Sequence, residues 1–254
     1  MIHVIYRTCG GEETREKHKK YRLHGGYTFN PNATYQRTEW FDKRKYFKSM
    51  AEEIINEDVK VTVVFDGPGD YLKEYIEKNY VEKYPDKFSL INIGLCSNVG
   101  SLRKCYEIAN EDKVSDYFYF LEDDYLHRPG WHKALLDGLK CLPEESIATL
   151  YDHPDRYTRN DDICQGQEFI IMTPTSYWRT AESTTCTCII SQQMWQAVNQ
   201  LFIAYGVCDR GLYIELYKAG VRLWQPIPGY NTHDHVDFLS PFIEWENICK
   251  TIEL

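Results

Sequence analysis

Three groups of acidic and histidine side chains follow short apolar stretches of the sequence, two of them directly and the third after a Pro/Gly turn. The acids Glu122–Asp124 follow the aromatic run Phe118–Leu121, and Asp66 ends the β-branched run Val59–Phe65. The third group is the polar stretch 232–237, with two histidines and two aspartates. Carboxylates and imidazoles are common ligands of divalent cations, and a bound cation can neutralise a diphosphate. These positions indicate metal-assisted phosphate chemistry.

The elements before these groups predict that the groups meet. We predict strands at 3–6, 59–65, 88–93 and 117–121, with helices at 40–56, 71–80 and 102–110, the last capped by Ser101. Strands that alternate with helices pair in parallel through crossover connections. Because the carboxyl ends of parallel strands share one edge of a sheet, residues distant in sequence converge on one cleft there.

The second half of the chain continues the α/β pattern with longer polar interruptions. We predict strands at 147–151, 169–172, 184–190 and 221–225, and helices at 131–139, 192–205 and 211–219. Residues 12–39 show no steady period and predict an irregular excursion, and the acidic segment 152–167 predicts an active-site loop. Tyr177, Trp178 and Trp224 are candidates for stacking on sugar faces or for the core.

Composition limits the classes of function. The 254 residues carry a formal charge of −9, with a pI near 5.4, which argues against nucleic-acid binding because phosphate backbones are met by clustered Lys and Arg. Nine cysteines form an odd set without a CxxC pair, which predicts reduced thiols. The first apolar run is too short for a signal peptide, and no stretch approaches the roughly 18 apolar residues of a transmembrane segment. We expect a cytoplasmic protein without a transmembrane segment.

Four blocks of the sequence, in order, resemble the signature of GT-A glycosyltransferases, particularly those of family 2. The blocks are Val63–Gly67, Asn98–Arg103, Tyr119–Asp124 and Cys208–Gly220, and the similarity covers about residues 1–235. The resemblance implies an α/β, Rossmann-like single domain over residues 1–254, with a mostly parallel central sheet flanked by helices. It also implies a nucleotide-sugar-binding half, 1–124, and an acceptor-binding half, 125–254.

The same resemblance implies a reaction and roles for individual residues. The reaction is transfer of a hexosyl or pentosyl group from a nucleotide-diphosphate sugar, UDP- or GDP-linked, to a hydroxyl of a glycan, lipid-linked or protein-linked acceptor, with inversion. Asp124 and His233 would bind Mn²⁺ or Mg²⁺, with His235 as an alternative to His233, and Asp209 would be the catalytic base. The donor-binding residues would be Arg7, Asp66, Asn98, Arg103, Glu122 and Asp123.

The sequence departs from the family pattern at two of these positions, and it leaves other readings open. Glu122 replaces the first aspartate of the DXD motif, and Cys208 stands where an acid usually precedes Asp209. As a residue before a helix, Asp209 could instead be a cap.

The cluster His233, His235 and Asp237 also fits part of a metallo-hydrolase signature. A nucleotidyltransferase lacks support because no basic, Gly-rich loop follows the first strand, and a non-catalytic sugar-nucleotide-binding protein is the remaining alternative.

Overall fold

The computed structural model describes residues 1–10, 37–68, 71–157, 168–185, 187–206 and 208–254. The predicted irregular excursion 12–39 is therefore described only from residue 37 onward. The predicted loop 152–167 is described up to residue 157, and the rest of it lies outside the described residues.

Eleven strands are present in the described residues. They are β1 (Ile2–Cys9), β2 (Val59–Asp66), β3 (Phe88–Asn92), β4 (Tyr117–Glu122), β5 (Tyr125–His127), β6 (Ser146–Ala148), β7 (Ile170–Met172), β8 (Tyr177–Ala181), β9 (Cys188–Ser191), β10 (Arg222–Ile227) and β11 (Asn231–His233). Nine of them form one sheet in the order β3-β2-β1-β4-β9-β6-β10-β8-β7, and β5 pairs with β11. Within the large sheet only β8 and β9 run against the other strands. The prediction of a mostly parallel sheet is confirmed.

Helices cover both faces of this sheet. They are α1 (Lys43–Ala51), α2 (Tyr71–Ile76), α3 (Asn98–Glu111), α4 (Trp131–Cys141), α5 (Gln192–Tyr205), α6 (Asp209–Lys218) and α7 (Trp245–Thr251). Shorter helical turns occupy Glu52–Ile54, Glu77–Val81 and Pro154–Tyr157. In the part of the chain that the structure describes, no helix combines the length and the apolar character needed to cross a bilayer.

The core consists of two large layers, one on each face of the sheet, and a smaller cluster between α1, β5 and α7. One layer contains Phe47 of α1, Trp131 of α4 and Trp178 of β8, and the other contains Tyr106 of α3 and Trp195 of α5. Large buried aromatic rings supply much of the burial that stabilises such layers. Because Trp178 and Trp224 are buried in the first layer, the suggestion that they stack on sugars is wrong, whereas Tyr177 is exposed.

The ends of several elements differ from the sequence prediction. Helix α3 begins at Asn98 because the Ser97 hydroxyl accepts a hydrogen bond from the Gly100 amide at 3.1 Å, so Ser97 is the cap and Ser101 lies inside the helix. Helix α6 begins at Asp209, two residues before the predicted start. Strands β5, β8 and β11 were not predicted. β5 and β11 have three residues each, and strands this short carry little periodic signal.

Candidate active site

The carboxyl ends of β1, β2 and β4 meet at one edge of the sheet. The register pairs Arg7 of β1 with Glu122 of β4, and Cys9 of β1 with Asp66 of β2. The apolar residues of these strands are buried, so the polar residues at their ends mark the boundary between the core and this edge. Edges of this kind are where open α/β sheets bind ligands.

Asp124 and His233 meet at this edge although 109 residues separate them in sequence. The pairing of β5 with β11 places His233 beside Tyr125, the residue after Asp124. The imidazole Nε2 lies 3.2 Å from Asp124 Oδ2, and the Asp234 amide donates to the Asp124 carbonyl at 2.8 Å. Both side chains are buried. The short β5–β11 pair is thus the element that assembles the two predicted metal ligands.

Arg37 is the cation partner of Asp124. Its guanidinium lies 2.8 Å from Asp124 Oδ2 and donates a second hydrogen bond, 2.7 Å long, to the Asp234 carbonyl. Burial alone would raise the pKa of Asp124, but His233 and Arg37 together hold it well below its usual range. Asp124 is therefore an ionised carboxylate at neutral pH, which is the form that binds a metal ion.

Glu122 forms an ion pair with Arg7, and that pair reaches the start of α3. Arg7 donates to the carbonyl and to the side-chain oxygen of Asn98, and it lies 3.4 Å from the Ser101 hydroxyl. Three of the predicted donor-binding residues, Arg7, Asn98 and Glu122, are in contact. The amino end of a helix favours negative charge, and an arginine beside it suits a phosphate.

Asp123 faces a different direction from its neighbours and binds Lys43 of α1. The Lys43 ammonium lies 2.6 Å from Asp123 Oδ2, which also accepts a 2.5 Å hydrogen bond from the Thr8 hydroxyl. Although burial lowers the pKa of Lys43, the Asp123 carboxylate more than compensates, and the net shift is upward. Asp123 thereby ties the end of β4 to β1 and α1.

Asp66 and Arg103 lie apart from this group of contacts. Both carboxylate oxygens of Asp66 accept backbone hydrogen bonds, from Cys96 at 2.6 Å and from Ser97 at 2.8 Å. Asp66 is buried and fixes the loop that leads into α3. Arg103 lies on the exposed surface of α3, and the structure does not bring it to Glu122 or Asp124. Donor contacts of both residues stay predictions.

Asp209 is the first residue of α6 and lies at the same edge of the sheet. Burial and, to a smaller extent, the nearby charge of Asp209 raise the pKa of the Cys188 thiol to about 12. Cys188 begins β9 and pairs with Phe120, two residues before Glu122. The Asp209 carboxylate is partly exposed, so a substrate hydroxyl can approach it.

The residues at this edge fit a divalent cation with two protein ligands. One carboxylate oxygen and one imidazole nitrogen suit Mn²⁺ chemically, and at 3.2 Å apart they are close enough to bind one ion. Within the described ranges, no group of three or more His, Cys, Asp or Glu side chains is arranged to hold a metal. Oxygen atoms of a diphosphate and of water would have to complete the coordination.

The metallo-hydrolase alternative requires His233, His235 and Asp237 to face one point, and they do not. His233 faces Asp124, whereas His235 Nδ1 lies 3.9 Å from the Asp237 carboxylate, which is 78% exposed. Burial lowers the pKa of His235, and its ring packs against Phe238 with centroids 4.5 Å apart. The cluster is an ordinary turn after β11 in which only His233 points to the acidic run.

Sequence reasoning missed the cations Arg37 and Lys43. A lysine or arginine near the start of an amphipathic helix predicts a solvated surface, and nothing in the sequence indicates that these two face the acids after β4. It placed Asp152 in the predicted loop 152–167 but missed its burial and its partners, since Asp152 accepts hydrogen bonds from Arg179 at 2.7 Å and Gln225 at 2.6 Å. The requirement that buried charges be paired is the one signal that could have suggested such partners.

The fold is similar to that of GalNAc-T7 solved with UDP, GalNAc and Mn²⁺, with a TM-score of 0.54 at 8% identity over 94% of this chain and 45% of that one. The chain thus spans less than half of the length of that protein. A mannosyltransferase of Pyrobaculum calidifontis, solved with GDP-Man and Mn²⁺, has a TM-score of 0.48 at 11% identity, over 87% of this chain and 53% of its own.

The inositol-1-phosphate CTP transferase of T. maritima has a TM-score of 0.43 at 12% identity, over 98% of this chain and 96% of its own. No family model and no curated protein matches the sequence. At 8% identity a structural likeness shows the fold only, and family 2 stays a prediction. The chain has a GT-A fold, as its sequence predicts.

Proposed function

We propose that this protein is a metal-dependent glycosyltransferase that uses a nucleotide-diphosphate sugar as donor. The contact between Asp124 and His233 carries the proposal, because it joins a carboxylate and an imidazole at the ligand-binding edge of a GT-A fold. Both side chains are buried where a cation would contact the diphosphate of the donor. UDP- and GDP-sugars are the proposed donors.

The donor-binding residues would act as two groups. Arg7, Asn98 and Glu122 surround the amino end of α3, where Arg7 can bind a phosphate and Glu122 a ribose hydroxyl. Asp123 would support this arrangement from its contact with Lys43. Asp66 would contact the nucleotide base while it fixes the loop before α3, and Arg103 would reach the donor from the exposed surface of that helix.

The chemistry requires charge neutralisation on one side of the sugar and proton removal on the other. Mn²⁺ or Mg²⁺, held by Asp124 and His233, would neutralise the departing diphosphate. Asp209 would accept the proton of the acceptor hydroxyl as the new bond forms, and a single displacement from that face would invert the anomeric carbon. The partial exposure of Asp209 at the carboxyl edge supports this role.

We also propose separate roles for the two halves of the domain. Residues 1–124 would bind the nucleotide sugar, and residues 125–254 would bind the acceptor within the same domain. The described cysteines are all free thiols, which supports a reducing, cytoplasmic environment. Transfer of a hexosyl or a pentosyl group is equally compatible with these residues.

A panel of UDP, GDP, CMP and TDP with and without Mn²⁺, followed by calorimetry and thermal shift, tests the donor site. We expect one nucleoside diphosphate to stabilise the protein only when Mn²⁺ is present. Asp124→Asn and His233→Gln should each abolish this Mn²⁺-dependent stabilisation. Glu246→Gln in the exposed face of α7 is the matched control and should behave as the wild type. A protein that binds none of the four nucleotides would contradict the proposal.

Substitution of Asp209 by Asn tests the catalytic base. Without a proton acceptor, the turnover number for sugar transfer should fall at least a hundredfold, whereas nucleotide affinity measured by calorimetry should not change. Glu215→Gln, a partly exposed acid of the same helix that pairs with Lys218, is the control. Transfer retained by the Asp209→Asn variant would remove Asp209 as the base.

A further inference from the structure

Phe242 adopts a backbone conformation that phenylalanine rarely adopts, and its ring is left mostly in solvent. Its φ angle is +70°, in the left-handed region, and the residue is 71% exposed. A side chain with a Cβ atom is strained in this region, and strain of this kind accumulates at functional sites. Burial of the ring offsets little of that strain. The position therefore has a phenylalanine for a reason other than stability.

The backbone around Phe242 is held firmly, so its position is defined. The hydroxyl of Ser240, two residues earlier, donates to the carbonyls of Asp152 and Asn231 and accepts from the Asp152 amide, at distances of 2.8, 3.0 and 3.1 Å. The Ser240 carbonyl accepts a 2.7 Å hydrogen bond from the indole of Trp245. A segment fixed on both sides presents the Phe242 ring in one place.

A second exposed ring stands at a right angle to Phe242. The centroids of Tyr157 and Phe242 are 5.2 Å apart, and their planes meet at 87°. Tyr157 is 42% exposed. Its hydroxyl donates to the fully buried Asp152 at 2.7 Å, and the guanidinium of Arg179 lies 4.5 Å from its ring centre. The two rings form an exposed aromatic corner, in which the contacts of Tyr157 with Asp152 and Arg179 fix the orientation of its ring.

Aromatic contacts continue from the neighbourhood of this corner to the candidate active site. The helical turn that ends at Tyr157 begins beside His153, whose ring lies 5.4 Å from Phe238. Phe238 is partly exposed and lies 6.5 Å from the ring of His233. A ligand that rests on Tyr157 and Phe242 can therefore extend along Phe238 toward the proposed metal ligands.

The charges near these rings favour a neutral polar ligand over a membrane. Asp237 and Glu244 are exposed on either side of Phe242 in sequence, and the chain as a whole carries a formal charge of −9. Anionic bilayers attract clusters of Lys and Arg and repel such a surface. A sugar ring suits it, because one face of the ring presents C–H groups to aromatic rings while its hydroxyls bond to carboxylates.

We propose that Tyr157, Phe242 and Phe238 bind a sugar ring of a glycan acceptor. The inference rests on the proposed function and names the acceptor class that the function leaves open. The exposed aromatic rings replace the buried Trp178 and Trp224 as the surface on which a sugar stacks. A glycan bound there would place its reactive hydroxyl near the carboxyl edge of the sheet, where Asp124, His233 and Asp209 lie.

An array of immobilised oligosaccharides with hexose, N-acetylhexosamine and pentose termini, probed with the fluorescently labelled full chain, tests the proposal. We expect the wild type to bind a subset of these glycans, and Phe242→Ala and Tyr157→Ala to reduce that binding at least tenfold. Tyr84→Ala is the matched control, because Tyr84 is also exposed but lies just before β3, at the other end of the sheet from β8; it should bind as the wild type does. Phe242→Trp, which keeps an aromatic face, should retain binding.

A further variant separates binding from stability. Asparagine tolerates positive φ, so Phe242→Asn should melt no lower than the wild type and still lose glycan binding. Binding unchanged in Phe242→Ala, or no glycan bound by the wild type, would overturn the proposal, as would Phe242-dependent binding to phosphatidylserine vesicles instead of glycans. Because Phe242 is not one of the proposed donor-binding residues, Mn²⁺-dependent nucleotide binding should persist in either case. Loss of nucleotide binding by the wild type would refute the donor site instead.

Discussion

At the level of single residues, each acid at the end of β4 and directly after it is paired with a cation from another segment. Glu122 pairs with Arg7, Asp123 with Lys43 and Asp124 with Arg37. The sequence predicts the acids because they interrupt an apolar strand, and it predicts His233 through a family resemblance. It does not predict the three cation pairings, since each depends on how distant segments fold onto this edge.

Arg37 and a metal ion would compete for the same carboxylate oxygen. We therefore expect Arg37→Gln to bind Mn²⁺ about tenfold more tightly, because removal of a cation 2.8 Å from Asp124 Oδ2 lowers the repulsion on an incoming ion. Electron paramagnetic resonance of free Mn²⁺, titrated with the nucleotide-free protein, measures this affinity.

The control for that titration is Arg44→Gln. Arg44 lies nearby in sequence, in α1, but it pairs with Asp42 and not with Asp124. Its Mn²⁺ affinity should equal that of the wild type. An Arg37→Gln variant with unchanged or weaker Mn²⁺ binding would show that the cation and Arg37 do not share Asp124.

At the level of elements, the long parallel strands were predictable and the three-residue strands β5 and β11 were not. β1, β2 and β4 are long buried strands, and continuous apolar runs of that length have few other interpretations. β5 and β11 have three residues each and include His127, Asn231 and His233. Their pairing depends on contacts between the two halves of the chain, which local sequence does not report.

The packing of α4 on β8 depends on the absence of a side chain at Gly138. A Cβ atom there would lie 2.5 Å from the Trp178 ring, which is fully buried and has no room to move. We expect Gly138→Ala to destabilise the protein by about 1–3 kcal/mol through overpacking, despite the higher helix propensity of alanine.

Chemical denaturation followed by tryptophan fluorescence measures this change. Lys140→Ala, on the exposed side of the same helix, should alter the free energy of unfolding by less than about 0.5 kcal/mol. Equal stability of Gly138→Ala and the wild type would mean that α4 moves away from the sheet without cost.

At the scale of the whole molecule, buried histidines make stability depend on pH. Burial, together with the charge of Lys60, lowers the pKa of His3 to about 4, and burial lowers that of His127 to about 3. Both would titrate near 6.5 in the unfolded chain. The unfolded state therefore binds more protons between about pH 6.5 and pH 4, so the stability present at pH 7 is lost as the pH falls through this window.

His3→Gln should flatten this dependence. His3 bonds to Asp112 and Thr62, both at 2.8 Å, at the sheet edge opposite the candidate site. The wild type should lose on the order of 3 kcal/mol more than the variant between pH 7.5 and pH 4.5, from the shift of about 2.5 units in the pKa of His3. Urea unfolding at both pH values measures the free energy of unfolding of each protein. Equal losses of stability in the wild type and the variant would exclude His3 as a source of the pH dependence.

The pairing of Asp123 with Lys43 has a consequence for how this sequence can diverge. Loss of either partner leaves a charge buried beside Thr8 without compensation. Loss of both removes two charges and leaves a neutral contact between β4 and α1. Evolution can therefore change the two positions together far more easily than one at a time, and natural variants of this chain should show Asp123 and Lys43 as a covarying pair, although neither position need participate in catalysis.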